Sequence, residues 1–173
     1  MTEFVRQVRL LLLGLWLGAA IFFGAAVAPA LFGVLRSAGL ANANELAGSI
    51  VTRLLGVINR GGFEIALFLF VTAFFVNRRR HLLAQVAEVI SIAIVAIMTG
   101  VNQWVIAARM VALRAAMGTI DQTSPMDPRR IEFDSLHRYS VMVMSIAMIA
   151  GLIAFLVASW RSNAKAGHRA GGQ

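Results

Sequence analysis

The sequence predicts an all-α integral membrane protein, a four-helix bundle, and three observations carry that expectation. Hydrophobic residues make up 59% of the 173 positions and charged residues only 14%, where a soluble domain has about a quarter charged. The mean hydropathy is +0.77. The apolar residues gather into four runs, each long enough for a hydrocarbon core of about 30 Å at 1.5 Å per residue.

The first run, from about Leu10 to Leu35, is framed by Arg6, Arg9 and Arg36. Ala26-Val27-Ala28 resembles a signal-peptide cleavage site, but Pro29 directly after it obstructs cleavage and the run is long for a signal. It is read as a span. The second runs from about Leu54 to Val76, interrupted by Asn59, Arg60, Gly61, Gly62 and Glu64 and halted by Arg78-Arg79-Arg80. Glu45 to Arg53 reads as an amphipathic lead-in lying at the membrane interface. The third span covers about 82–105, and its helical pattern continues to Met117, which gives a helix of roughly 50 Å that projects beyond the membrane. Gly118 to Pro128 is loop-like, with Asp127 and Pro128 suited to the N-cap and first position of the next helix. The fourth span covers about 138–160. Residues 1–162 therefore form one membrane domain, and the Gly/Ala-rich segment 163–173 is expected to be a disordered tail.

Charge and composition narrow the function classes. Sixteen Lys and Arg against eight Asp and Glu give +8, yet the arginines mostly punctuate the apolar runs, as membrane orientation and contact with anionic head groups require. The lipid bilayer is the expected partner and nucleic acid is not. Counted near the span ends, basic residues tie between the two sides. The tight Arg78–Arg80 turn favours both termini facing the cytoplasm, in a bacterial cytoplasmic membrane. With no cysteine, disulfide and thiolate chemistry are excluded. No Ser-His-Asp arrangement, phosphate loop or zinc spacing is present, so nothing argues for an enzyme.

Polar residues inside spans are the candidate functional positions, because each is costly there. Arg60 and Glu64 lie one turn apart on span two and can pair within the helix. On span three Glu88, Ser91, Thr99, Asn102 and Arg109 fall on about a quarter of the circumference. Span four enters with His137 and Ser140, followed on the same stripe by Met144 and Met148. Depth gathers Arg60, Glu64, Thr99, Asn102, Arg109, His137 and Ser140 toward the outer half, with Glu88 near the inner end. One reading makes them interhelical hydrogen bonds, each worth about 0.6 to 2 kcal/mol. The other is an outer-facing polar pocket that binds or moves a small solute. No cofactor is expected, but His137 with Met144 and Met148 has the donor types for copper(I), and His81 or His137 is the type of axial ligand haem needs. Gly14 and Gly18 form a small-xxx-small pair that permits close helix approach.

Short motifs in order carry a resemblance: Leu15-Trp16-Leu17-Gly18, Ala28-Pro29-Ala30-Leu31-Phe32, Arg53-Leu54-Leu55, Asn102 with Arg109, and Phe133-x-x-x-His137-x-x-Ser140. In these the chain resembles the transmembrane protein 205-like family, which carries domain of unknown function 4149. The resemblance implies a four-span helical membrane protein without a settled activity, and it singles out Asn102, Arg109, His137 and Ser140. Gly61-Gly62 departs from the bulkier residues expected there. The Trp-Leu-Gly start is also loosely similar to small copper-resistance and haem-linked four-span proteins. The functional expectation is a non-enzymatic protein binding or moving a small solute, with a homo-oligomer supplying a wide enough pathway. The alternatives are a copper or haem protein, or a structural subunit docking a partner through Arg109, Arg114 and the 129–138 segment.

Overall fold

The computed structural model describes residues 2–73 and 82–170, with side chains for 3–73 and 82–160. Six α-helices, α1 (Thr2–Phe22), α2 (Ala28–Ser37), α3 (Ala43–Ala73), α4 (Leu82–Val101), α5 (Ala107–Met117) and α6 (Pro128–Ala170), are arranged as four arms. The arms Glu3–Ser37, Ala43–Ala73, Leu82–Met117 and Pro128–Trp160 are each long and apolar enough to cross a membrane. The protein is a four-helix membrane bundle. Arg78–Arg80 and His81 lie outside the described residues, as do the side chains of the tail.

Two arms contain a single π turn. Phe23–Val27 joins α1 to α2, and Asn102–Ile106 joins α4 to α5. The first has a direct cause: Pro29 has no N–H to donate, and its ring would press on the carbonyl of Ala25 in a regular α-helix. The chain instead widens by one residue, and the Ala28 N–H reaches back to the Phe23 carbonyl. The second has no proline, and the Ala107 N–H bonds the Asn102 carbonyl.

The expected interfacial lead-in to span two is not a separate element. Ala43–Ala73 is one continuous helix, because no proline interrupts it and the opposite loop holds its start. Asp121 accepts from the Glu45 backbone N–H at 2.9 Å and from Asn44 Nδ2 at 2.7 Å, satisfying donors that a helix start leaves free. Glu45 in turn accepts from the Ile120 N–H at 3.2 Å and pairs with Arg114 at 3.4 Å. Leu113, Ile120 and Phe133 form a small core beneath this cap, with the Arg114 guanidinium over the Phe133 ring. Gly118, at φ 77°, ends α5. At the other extreme α6 continues to Ala170, past the point where a disordered tail was expected.

α4 packs most extensively on α6 and then on α3, while α1 lies between α3 and α6. In a bilayer the hydrophobic effect does not drive helices together, so close fit has to. Trp16 supplies it. Buried on α1, its indole fills the places where Cβ atoms would stand at Gly62 on α3 and Gly151 on α6. An ideal Cβ at Gly62 falls 2.7 Å from Cε2, and one at Gly151 falls 2.8 Å from Cζ3. The indole Nε1 donates to the Ile58 carbonyl at 3.0 Å. The Gly61-Gly62 step is thus half explained: Gly62 makes room for Trp16, while Gly61 has nothing near it. Likewise Gly14 meets the Phe155 ring, but Gly18 meets nothing.

Two outcomes are expected. Gly62→Ala overpacks the Trp16 seat and lowers stability by about 1–3 kcal/mol, read by thermal unfolding in mild detergent, whereas Gly61→Ala is tolerated by the monomer. Second, Asp127 accepts from the Arg129 guanidinium and from the Arg129 backbone N–H, and chiefly the side-chain hydrogen bond holds its carboxyl down from 3.8 to about 2. A lowered folded pKa means the contact is complete above the unfolded value and is lost as pH falls through the folded one. Amide protection at Arg129 should therefore survive at about pH 3 and disappear only below about pH 2.

Candidate functional site

Asn102, the first residue of the π turn Asn102–Ile106, is fully buried together with Asn59 of α3. Asn102 Nδ2 donates to Asn59 Oδ1 at 3.3 Å. This single bond leaves Asn59 Nδ2 and Asn102 Oδ1 buried without partners among the described residues, and Gln103 Oε1, toward Gly56, is in the same condition. One donor and two acceptors therefore stand unused along the α3–π seam. Thr99, one turn away and fully buried, spends its hydroxyl on the Val95 carbonyl at 2.7 Å. Ser140 is buried on α6, which packs against the π turn.

At the far end of the bundle a second polar group is buried. Arg9 of α1 donates to Glu88 of α4 at 2.8 Å, and also to Thr72 Oγ1 and the Leu69 carbonyl of α3. Both ionised side chains are within a tenth of full burial. The pair ties three arms together at one level. Between the two polar ends, the space enclosed by Leu13, Trp16, Gly62, Ile65, Ala66 and Leu69 is too small for a water molecule.

A family model described as domain of unknown function (DUF4149) matches residues 11–119. The chain belongs to this family. No curated protein and no solved structure matches it. The DUF4149 match runs from Leu11 on the first arm through the third arm, including Asn59, Glu88, Thr99 and Asn102, and stops before α6. Ser140 and His137, which the resemblance emphasised, lie beyond it, and so does Arg9 at the other limit.

The remaining sequence candidates of this DUF4149 protein disperse. Arg109 is exposed and forms a two-point pair with Glu132 of α6, at 2.7 and 3.2 Å. His137 is exposed as well. Met144 belongs to the buried core and Met148 packs against it. Among the described residues no group of three or more His, Asp or Glu is gathered. Arg60 and Glu64 are both exposed on α3, and among the described residues no ion pair joins them. The structure thus brings together Thr99 and Asn102, with Ser140 on the helix facing them. It places Glu88 at the opposite end, Arg109 and His137 on the surface, and Arg60 and Glu64 on the outer face of α3.

Two residues escaped the sequence reading, and each had a signal. Arg9 looked like a membrane-edge arginine, but it shares one helical face with Leu13, Trp16, Leu17 and Ala20, all buried. Asn59 looked like an interruption, but it heads the stripe Asn59, Gly62, Ala66, Leu69 and Ala73, spaced for burial. Removing one member of the Arg9–Glu88 pair strands a buried charge, at about 3–5 kcal/mol. Glu88→Leu should therefore be far more damaging than the double change Arg9→Leu with Glu88→Leu, a contrast measurable by unfolding in detergent.

Proposed function

We propose that this protein is a non-enzymatic membrane protein that binds a small, neutral, hydrogen-bonding solute at the Asn59–Asn102 seam. One observation carries the reading: two fully buried, mutually bonded carboxamides hold a donor and an acceptor that have no partner among the described residues. Buried polar groups are otherwise almost always satisfied, and leaving one unmade costs about 1–3 kcal/mol. A solute carrying both an N–H or O–H and a lone pair completes both. The π turn supports the reading, since such turns recur at functional sites. Thr99 lies one turn from Asn102, Ser140 is buried on the helix that packs against the π turn, and Arg109 and His137 are exposed further toward the same end. The reading extends to a place in the bacterial cytoplasmic membrane with both termini cytoplasmic, which puts the seam in the outer half, and to kinship with transmembrane protein 205-like proteins.

The test is thermal unfolding of the detergent-purified protein titrated with acetamide, glycerol and short-chain amides and alcohols. A binder present at a hundredfold its Kd stabilises by about 2.7 kcal/mol, so a saturable rise in Tm is expected for at least one probe. Asn59→Leu with Asn102→Leu should leave the unliganded fold as stable or more so, because both partners are replaced together, and should abolish the rise. A wild-type protein indifferent to every probe refutes the reading. The same preparation is assayed for copper and for a haem absorption band; either one, lost in His137→Ala, would replace it.

A further inference from the structure

The outward face of α3 is unlike the other lipid-facing surfaces of the bundle. On α1, α4 and α6 the exposed residues in the middle of the apolar runs are uncharged, such as Leu15, Ile97 and Leu156. On α3, Arg60 and Glu64 are exposed in the middle of the run. Glu64 is ten residues from Leu54, where the apolar run begins, roughly 15 Å at 1.5 Å per residue, so it sits near the midplane of a core about 30 Å thick. A charge there costs at least about 2.5–3.5 kcal/mol against lipid tails, and lipid head groups lie too far away to relieve it. The buried pair Arg9–Glu88 shows how this chain treats such charges elsewhere: it matches them.

The neighbours of Arg60 and Glu64 describe a packing seam. Val57, Arg60, Gly61, Glu64, Phe68 and Val71 fall within about 120° of one another at 3.6 residues per turn, opposite the buried stripe through Asn59, Gly62 and Ala66. Val57, Gly61, Glu64, Phe68 and Val71 follow one another in alternating steps of four and three, the spacing of a left-handed helix pair, with Arg60 flanking them. Val57 is 70% exposed and Val71 55%. Nothing approaches the Cβ position of Gly61, which leaves room for another backbone.

We infer that two copies of this chain dimerise through the outward face of α3. A two-fold axis along the membrane normal sets two α3 helices side by side and parallel. Arg60 of each copy then reaches Glu64 of the other, one turn along, and the contact is self-complementary: two reciprocal ion pairs at the midplane. The surface satisfies its own image, which is what commits it to a second copy rather than an unlike partner. The inference is independent of the solute reading, whose residues lie on the opposite side of α3.

The wild-type chain has no cysteine, so single cysteines report without background. Val57→Cys, Gly61→Cys and Phe68→Cys, oxidised in lipid nanodiscs, should give disulfide dimers, and Leu15→Cys on α1 and Ile97→Cys on α4 should not. Mass measurement in native-like lipid should give twice 18.7 kDa. Arg60→Glu alone should weaken dimerisation about tenfold, and the exchange Arg60→Glu with Glu64→Arg should restore it. A monomeric mass, crosslinking equal at all three helices, or an unlike protein on α3 would each overturn the inference. The cysteine series keeps both charges intact, so misfolding of a charge variant does not obscure the answer.

Discussion

The bundle depends on the fit of one indole between two glycines. Trp16 of α1 lies between α3 and α6, and its volume is accommodated only because Gly62 and Gly151 carry no side chain. Its N–H is satisfied by the Ile58 carbonyl, so a large polar-edged ring is buried in a membrane core without an unmet donor. Packing is the main attraction available between helices that lipid solvates as well as they solvate each other. The dry space around Trp16 therefore does the work that hydrophobic burial does in water. It also separates the two polar ends, which is why the Asn59–Asn102 seam and the Arg9–Glu88 pair act as distinct chemical regions.

Polar groups in this protein are matched at two levels and unmatched at two other places. At the level of Arg9 the charge is matched across three arms. At the cap, Glu45, Asp121 and Arg114 exchange hydrogen bonds and an ion pair that keep α3 collinear with its extension. At Asn59–Asn102 the match is incomplete, and on the outer face of α3 no ion pair is formed among the described residues. Incompleteness in an otherwise balanced structure is the physical ground for looking at those two places for ligands and partners.

The spans and their order were readable because apolar runs and arginine boundaries are one-dimensional signals. Helix faces were harder. The quarter-circumference stripe on span three foresaw that Thr99 and Asn102 would share a side, but it extrapolated through Asn102 to Arg109 with a constant turn of 100° per residue. The π turn breaks that phase, and Arg109 emerges on the surface opposite Glu132. Depth arguments placed His137 in the same outer half as Asn102, yet depth alone says nothing about azimuth, and His137 is exposed. Arg9 was missed because an arginine at a span end fits two environments equally, and only its helical companions distinguish them.

The two π turns also have a consequence for how such a chain can change over time. Each is one residue more than an α-helix of the same rise requires, so each is an insertion absorbed without shifting the packed residues on one side of it. Loss of a single residue from Asn102–Ile106 would leave α4 seated but rotate α5 by about 100°. That rotation would unhook Arg114 from Glu45 and Arg109 from Glu132 together. The turn thus acts as a phase adjuster between a membrane-embedded half, whose register is set by Trp16 and its glycines, and a projecting half whose register is set by charge. Lineages can retune the projecting half by gaining or losing one residue there, while the core is left as it was.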